Sequence, residues 1–424
     1  MCYFAARFLE IYLNKENHQL PSKRNMAETN FSRRNFIGMT GIAGAGLALS
    51  GSPLMATQTL QSQVQMQTSR KFKMGLIGCG NRCRQIVDAL NNVQEIEMTA
   101  FCDVMPHKMQ LRAEQVNSSV KPQLVPKVDD LLKMQELDCI AIFTENDSHR
   151  DITIAGLQAG KHVWCEKPMG LTVAECNDII GEVGRTGKLL QIGHQRRHSP
   201  EYIALIEAVR SRPLGTVLQS SLFDYRGDWR VPEAHEAPEG TTYWRLIQKL
   251  SGGVVYEMGA HIIDINNWIF DSEPVAITSL QGVNNFTLRK RDSSDHAGVL
   301  VEYANGSLMN YGGNVYNYGS TALDTWFCVH GTVQHGGGNL TIRYGSPPGF
   351  PRPQNMPQNE QISLRTDNRE GDGAAEQFRH FAKAMDGKAK PFPDMYDGRR
   401  CVQILEGSVR AANERRVINV RELG

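Results

Sequence analysis

The run Phe72-Lys73-Met74-Gly75-Leu76-Ile77-Gly78-Cys79-Gly80-Asn81-Arg82-Cys83 constrains this chain more than any other stretch. An apolar segment breaks at two glycines and gives way to helix-compatible sequence from Cys83 to Leu90. Strand, tight turn and helix in that order leave free backbone N–H groups at the helix start, where a diphosphate binds well. Gly78 permits the turn, and Gly80 lets the backbone approach a ligand. The third position of the fingerprint is Cys83, a small thiol where Gly or Ala is usual. Taken alone, the pattern also fits an ordinary glycine turn between a buried strand and a helix.

The sequence that follows alternates. Strand Glu97–Cys102 ends at Asp103, 25 residues beyond Gly78. That is near the spacing of a carboxylate that holds the adenosine ribose hydroxyls. An acid there repels a ribose phosphate, which favours NAD over NADP. Asp103 also suits a cap leading into the next helix, but strand, turn and acid together favour the ligand role. Leu137–Phe143 reads as a strand buried on both faces and opens into the polar loop 144–149. A helix from about Arg150 to Gln158 ends near Gly160, and strand His162–Cys165 runs into Glu166-Lys167-Pro168. Thr172 and Glu175 form a capping box for helix Val173–Gly184, and Lys188–Ile192 is a further strand. This alternation predicts an α/β Rossmann domain, a doubly wound parallel sheet, over residues 71–195.

Gly160-Lys161-His162-Val163-Trp164-Cys165-Glu166-Lys167-Pro168 resembles the signature of the Gfo/Idh/MocA oxidoreductases, which act mostly on sugars, cyclitols and related polyols with nicotinamide cofactors. The Gly78/Gly80 turn, Asp103, the loop 144–149 and Gly193-His194-Gln195-Arg196-Arg197-His198-Ser199-Pro200 match the same pattern in order. Where the family often has proline after the loop threonine, this chain has Glu145. The resemblance implies NAD contacts from Gly78, Gly80, Asn81, Arg82 and Asp103 in the first half of the domain. Thr144, Asn146, His149, Glu166, Lys167 and Gln195 supply the rest. No metal is implied.

Residues 196–424 read as an α+β substrate domain with an open, mostly antiparallel sheet, whose closing helices pack back on the first domain as in the family. Strand candidates include Val275–Gln281, Ala297–Glu302 and Ser307–Tyr311, with Asn305-Gly306 as a hairpin turn. Helix candidates include Glu201–Arg210, Gly373–Met385 and Arg399–Asn413. Asp228-Trp229-Arg230 and Tyr243-Trp244-Arg245 can border a sugar site or serve the fold equally well. Glu257 and His261 are four apart on a helix, so an acid can orient an imidazole that moves a proton. The family usually has Asp, then His four residues later, then Asp three beyond; here the set is Glu257, His261 and Asp264.

Charge excludes some partners. The 46 basic and 45 acidic side chains leave a formal charge of +1, with no basic field for nucleic acid. Ser32-Arg33-Arg34-Asn35-Phe36-Ile37 precedes a small, apolar, glycine-rich run to Met55. It looks like a twin-arginine (Tat) export signal, too weakly apolar for a stable membrane span. Residues 1–70 are thus read as leader, signal and linker, with Met26 as an alternative start. The Tat export machinery is one expected partner, the periplasm or another exported location the destination, and a homo-oligomer through the C-terminal sheet the expected assembly. Nine cysteines without a CxxC pair read as small buried hydrophobes.

The expected chemistry is hydride transfer between tightly bound NAD and a sugar or polyol hydroxyl. His261 is the acid/base, Lys167 the cation beside the reacting oxygen, and Glu257 orients His261 or binds a neighbouring hydroxyl. Arg197, Tyr256, Asp264, Trp244 and Arg245 are candidate substrate contacts. Two alternatives remain at this level. One is an NAD-dependent, redox-neutral glycosidase, which needs a second base from His194, Tyr256 or Glu257. The other is a noncatalytic sugar-binding relative.

Overall fold

A computed structural model describes residues 70–227, 243–284, 291–317, 319–364 and 373–424. The twin-arginine segment and Asp228-Trp229-Arg230 lie outside the described residues.

The first sheet has six strands: β1 (Phe72–Ile77), β2 (Ile96–Cys102), β3 (Gln123–Leu124), β4 (Cys139–Ile142), β5 (His162–Glu166) and β6 (Leu190–Gly193). All pair in parallel, in the order β3-β2-β1-β4-β5-β6. The order reverses between β1 and β4, which opens a crevice at their carboxyl ends. The helices α1 (Asn81–Leu90), α2 (Pro106–Gln115), α3 (Val128–Leu132), α4 (His149–Gln158) and α5 (Val173–Thr186) connect the strands. The Thr172/Glu175 capping box forms as the sequence implies. The edge strand β3 escaped the sequence reading because it has two exposed residues and no apolar pattern.

The second sheet is mostly antiparallel. After α6 (Pro200–Ser211) come β7 (Val217–Tyr225), α7 (Ala260–Phe270), β8 (Pro274–Gly282), β9 (His296–Tyr303), β10 (Leu308–Asn314) and β11 (Thr321–Cys328). β12 (Gly331–Gly336), β13 (Asn339–Tyr344) and β14 (Glu360–Ser363) extend one edge. The helices α8 (Ala374–Met385) and α9 (Met395–Glu414) precede β15 (Ile418–Asn419) at the other. The nine strands run β14-β13-β12-β11-β7-β10-β9-β8-β15, and only the central β7–β10 pair is parallel. The β9–β10 hairpin turns at Asn305-Gly306, with Gly306 at φ 83°.

One face of this sheet packs under α6, α7 and α9, with Val299, Val301, Ile263 and Leu405 in a common core. The other face shows Leu280, Leu300, Leu308, Leu323 and Phe327, all between 40% and 64% exposed. The closing helices join the two halves. α8 lays Phe378 and Phe381 into the core beneath β1 and α1, where Phe143, Trp164 and Phe378 stack with centroids 5.3 and 4.7 Å apart. α9 puts Val402 on the Rossmann side and Leu405 on the other. The eight cysteines among the described residues are buried and unpaired. Among those residues no helix is long and apolar enough to cross a membrane.

Candidate active site

The glycine turn sits at the mouth of the crevice. Gly78 has φ 89°, and an added Cβ would meet the Phe143 carbonyl group at 2.8 Å, so a side chain is excluded by both strain and space. Gly80 differs: nothing lies within 4 Å of an added Cβ, so its outer side is open. α1 begins at Asn81, two residues before the helix-compatible stretch that starts at Cys83, and no side chain caps it. Its first N–H groups are therefore available to an anion. Cys83 is fully buried in the core beneath α1, so the thiol serves the close packing that a third glycine would give. Asp103 is fixed at the end of β2 by the backbone N–H groups of Cys79 (2.7 Å) and Met105 (2.8 Å). Open glycine, uncapped helix and anchored carboxylate together fit a dinucleotide. Thr144 follows β4 at the same switch point, its hydroxyl accepting from Ser148 at 2.6 Å.

Arg82 links this turn to the family signature. It donates to Glu166 Oε1 at 2.5 Å and to Gln195, while Glu166 Oε2 accepts from the Lys167 backbone N–H at 2.9 Å. Lys167 reaches across the cleft to the carbonyl oxygens of Glu257 (2.8 Å) and Tyr256 (3.4 Å). Those carbonyls belong to a π-helical turn, Val255–Gly259, in the segment the sequence gives as a turn entering a helix. Such turns displace carbonyls from regular pairing and are frequent at functional sites. Burial pushes the Lys167 ammonium pKa down, and the carboxylates of Glu257 and Glu166 oppose this only in part.

His261 starts α7, half-buried. Its Nδ1 is buried with no partner, which leaves Nε2 as the nitrogen that reaches the cleft. Burial, then the positive charges of Lys167 and Arg196, hold its pKa well below the ordinary histidine range. The imidazole is therefore neutral at physiological pH. Trp244 and Arg245 form a neighbouring wall, the guanidinium 4.7 Å from the Trp244 ring centre and bonded to Glu257 Oε2 at 2.8 Å.

Several expected contacts point elsewhere. Glu257 does not bond His261; its carboxylate accepts from Arg245 and from Asn146 Nδ2 at 3.0 Å. Asn146, expected at the cofactor, is buried and joins Glu257 and the Ser251 carbonyl (2.8 Å) across the domain boundary. His149 is completely buried, with its ring nitrogens against the carbonyls of Pro168 (2.7 Å) and Thr144 (3.3 Å), so it shapes the two loops from behind. Tyr256 is buried and donates to the Leu171 carbonyl at 2.6 Å, which turns its hydroxyl away from the cleft.

Arg197 and Asp264, expected at the substrate, bond each other: they form a two-pronged pair at 2.8 and 2.9 Å, with side chains 2% and 0% exposed. Asp397 of α9 completes the grip at 3.0 Å, and the rings of Trp268 and Phe392 flank the guanidinium at 5.4 Å. The residue that sequence reasoning passed over is Arg196, between two named neighbours. Its periodicity carries no signal, because residues 195–198 form a short 3₁₀ turn that aims each side chain differently. Among the described residues no group of three or more His, Cys, Asp or Glu is placed to hold a metal ion.

A Rossmann domain with an open glycine turn, joined through a Glu-Lys-Pro segment to an antiparallel-sheet domain carrying a cleft histidine, defines a nicotinamide-dependent oxidoreductase scaffold. Residues 72–194 match the NAD-binding Rossmann fold of the Gfo/Idh/MocA oxidoreductase family and residues 206–420 match its C-terminal alpha/beta domain, and the chain belongs to that family. The matched first domain is thus of the NAD-binding kind. The chain is 26% identical to an inositol 2-dehydrogenase of Salmonella typhimurium over 207 residues, 48% of this chain and 55% of the relative. It is also 26% identical to a glycosyl hydrolase family 109 protein of Shewanella baltica over 233 residues, 51% of each. The matched segment thus spans about half the length of these curated relatives. A solved oxidoreductase from Agrobacterium radiobacter, in complex with NAD+, L-tartaric acid and magnesium, shares the fold at TM-score 0.70 and 15% identity, covering 84% of this chain and 100% of that one.

The ionic grip on Arg197 yields a stability test. Asp264→Asn leaves a buried guanidinium with one carboxylate, and denaturant unfolding is expected to show a loss of about 3–5 kcal/mol. A variant of unchanged stability whose only defect is a raised substrate KM would return Asp264 to the substrate side.

Proposed function

We propose that this protein oxidises a secondary hydroxyl of a sugar or polyol to a ketone, and runs the reverse reduction, with NAD held on the Gly78–Asn81 turn. The observation that carries the reading is the convergence of a neutral His261 and the Lys167 ammonium in one cleft, tied to that turn through Glu166 and Arg82. NAD supplies the hydride acceptor. Nε2 of His261 accepts the hydroxyl proton, while the carbon gives up its hydrogen as hydride. Lys167 Nζ steadies the alkoxide and then the carbonyl oxygen. Glu257 acts on the wall of the cleft, holding Arg245 and Asn146 in place. In the reverse direction His261 returns the proton.

A redox-neutral glycosidase needs a further base beside the transient ketone. Two of the three sequence candidates are held by other groups. The Tyr256 hydroxyl is bonded to Leu171, and burial drives its pKa well above 10.0. Glu257 is held by Arg245 and Asn146. His194 is buried 3.8 Å from the Asp264 carboxylate, with burial lowering its pKa, and both ring nitrogens lack a hydrogen-bond partner. These placements favour plain or coupled hydride transfer over elimination. The pairing of His261 with the Lys167 cation at one cleft favours an enzyme over a simple sugar-binding protein.

The pH profile follows from the two shifts. Oxidation needs neutral His261, whose pKa is lowered, so the acid limb should fall well below pH 6.5. It also needs protonated Lys167, whose pKa is lowered too, so the basic limb should fall below pH 10.5. His261→Ala should cut kcat by roughly 100- to 10,000-fold and abolish the acid limb, with bound NAD still detectable on release by denaturation. Unchanged turnover would remove His261 from the mechanism.

The sequence also supports export. Ser32-Arg33-Arg34-Asn35-Phe36-Ile37 would direct the folded, NAD-loaded protein through the Tat route, and the cofactor would have to be regenerated within the catalytic cycle. Replacing Arg33 and Arg34 with Lys should leave the protein in the cytoplasmic fraction; undiminished export would refute the assignment. The apolar outer sheet face would pair two copies of the chain, since exposed patches of that kind mark interaction surfaces. Leu300→Glu should lower the mass seen by light scattering; a wild-type protein already monomeric at micromolar concentration would refute the pairing.

A further inference from the structure

We propose that Arg196 selects the substrate, and that the preferred sugar or polyol carries a carboxylate, as uronic and aldonic acids do. This rests on the reading of the cleft as a sugar-oxidising site and adds the substrate class to it.

The 3₁₀ turn Gln195–His198 sends four side chains to four surroundings. Gln195 accepts from Arg82 of the cofactor turn. Arg197 is locked to Asp264, one helical turn beyond His261 on α7. The His198 ring meets the Phe392 carbonyl at 2.8 Å. Arg196 is thereby held between the cofactor turn and the helix that bears His261, close enough for its charge to depress protonation of that imidazole.

Its guanidinium lies over the Tyr202 ring, 5.1 Å from the centre, half-buried, and makes no hydrogen bond to a described protein group. The neighbouring cations all have acceptors. Arg82 has Glu166, Arg245 has Glu257, Lys167 has two carbonyls, and Arg226 has Asp224 at 2.5 to 2.8 Å. The carboxylates that feel Arg196 are turned to other groups. Asp224 is held by Arg226, while Glu201 and Asp324 grip His335 at 2.6 and 3.5 Å.

A planar fork of N–H donors therefore stands unclaimed beside the reacting position. A carboxylate matches that fork with two parallel charge-assisted bonds. Stacking on Tyr202 already restricts the guanidinium, so little freedom is lost when the ligand arrives. A neutral hydroxyl would engage one N–H and leave the rest of the fork without a hydrogen-bond acceptor, the nearby Asp224, Asp324 and Glu201 carboxylates acting on it only through space.

The test uses the NAD-loaded full chain with D-glucuronate, D-galacturonate and D-gluconate, against D-glucose and D-galactose. Turnover and the ligand-induced rise in unfolding midpoint are both read. The acids should exceed the neutral sugars by about 10- to 100-fold in kcat/KM. Arg196→Gln should bring that ratio to about one, chiefly through KM, and Arg196→Lys should keep part of it. NAD retention reports that each variant folds. Neutral sugars equal to or better than the acids, or a ratio unmoved in Arg196→Gln, overturns the proposal, as does a lack of response to every acid. An acid-specific, Arg196-dependent rise in midpoint without turnover supports it and instead sinks the oxidoreductase reading.

Discussion

The buried ionic knot at Arg197 is the contact on which the site depends. One guanidinium joins three elements: the turn between the domains, α7 through Asp264, and α9 through Asp397. Two aromatic rings close over it. Taking these charges out of water is expensive, and the pairing, hydrogen bonds and ring contacts offset much of that cost. The return is positional. With Arg197 fixed, Gln195 meets Arg82 at the start of α1, and Arg196 lies over the Tyr202 ring. With Asp264 fixed, His261 one helical turn earlier is set in register.

A second constraint acts from the Rossmann side. The Gly78 turn touches the β4 carboxyl end so closely that only glycine fits, and Arg82 on the following helix reaches Glu166 at the end of β5. Glu166 in turn holds the Lys167 backbone. The Gly78 turn and Lys167 are thus parts of one short chain of bonds. Lys167 extends that chain into the second domain through the carbonyls of the π-turn. Asn146 does the same from the β4 loop through Glu257. Because each half supplies groups that the other satisfies, the cleft is assembled only when both are folded.

Much of this was legible along the chain. The strand–glycine–helix order and alternating apolar runs gave the parallel sheet, because their periods reflect local backbone geometry. The Thr172/Glu175 cap and the Asn305-Gly306 hairpin were legible for the same reason. The amphipathic face of α8, Ala375, Phe378, Phe381 and Ala382, was visible too, though not that it would lie against β1 and α1. Polar residues were harder to read. Arg197, Asp264 and Tyr256 have the side chains of a sugar site, yet burial directs them to protein partners. Glu257 and His261 have the spacing of a coupled pair, yet Arg245 and Asn146 claim the carboxylate.

The sequence by itself determined the two sheets, the glycine turn with Asp103 at the end of the next strand, and the family-like segments that hold Lys167 and His261. Each rests on short-range pattern or on a compact motif. Only the tertiary structure decided which polar side chains remain open in the cleft. A carboxylate or guanidinium bonds whatever complementary group comes within about 3 Å, and those groups come from residues tens to hundreds of positions away. Hence Arg197 became an internal fastener, while Arg196, its neighbour in sequence, lies over the Tyr202 ring and makes no hydrogen bond to a described group.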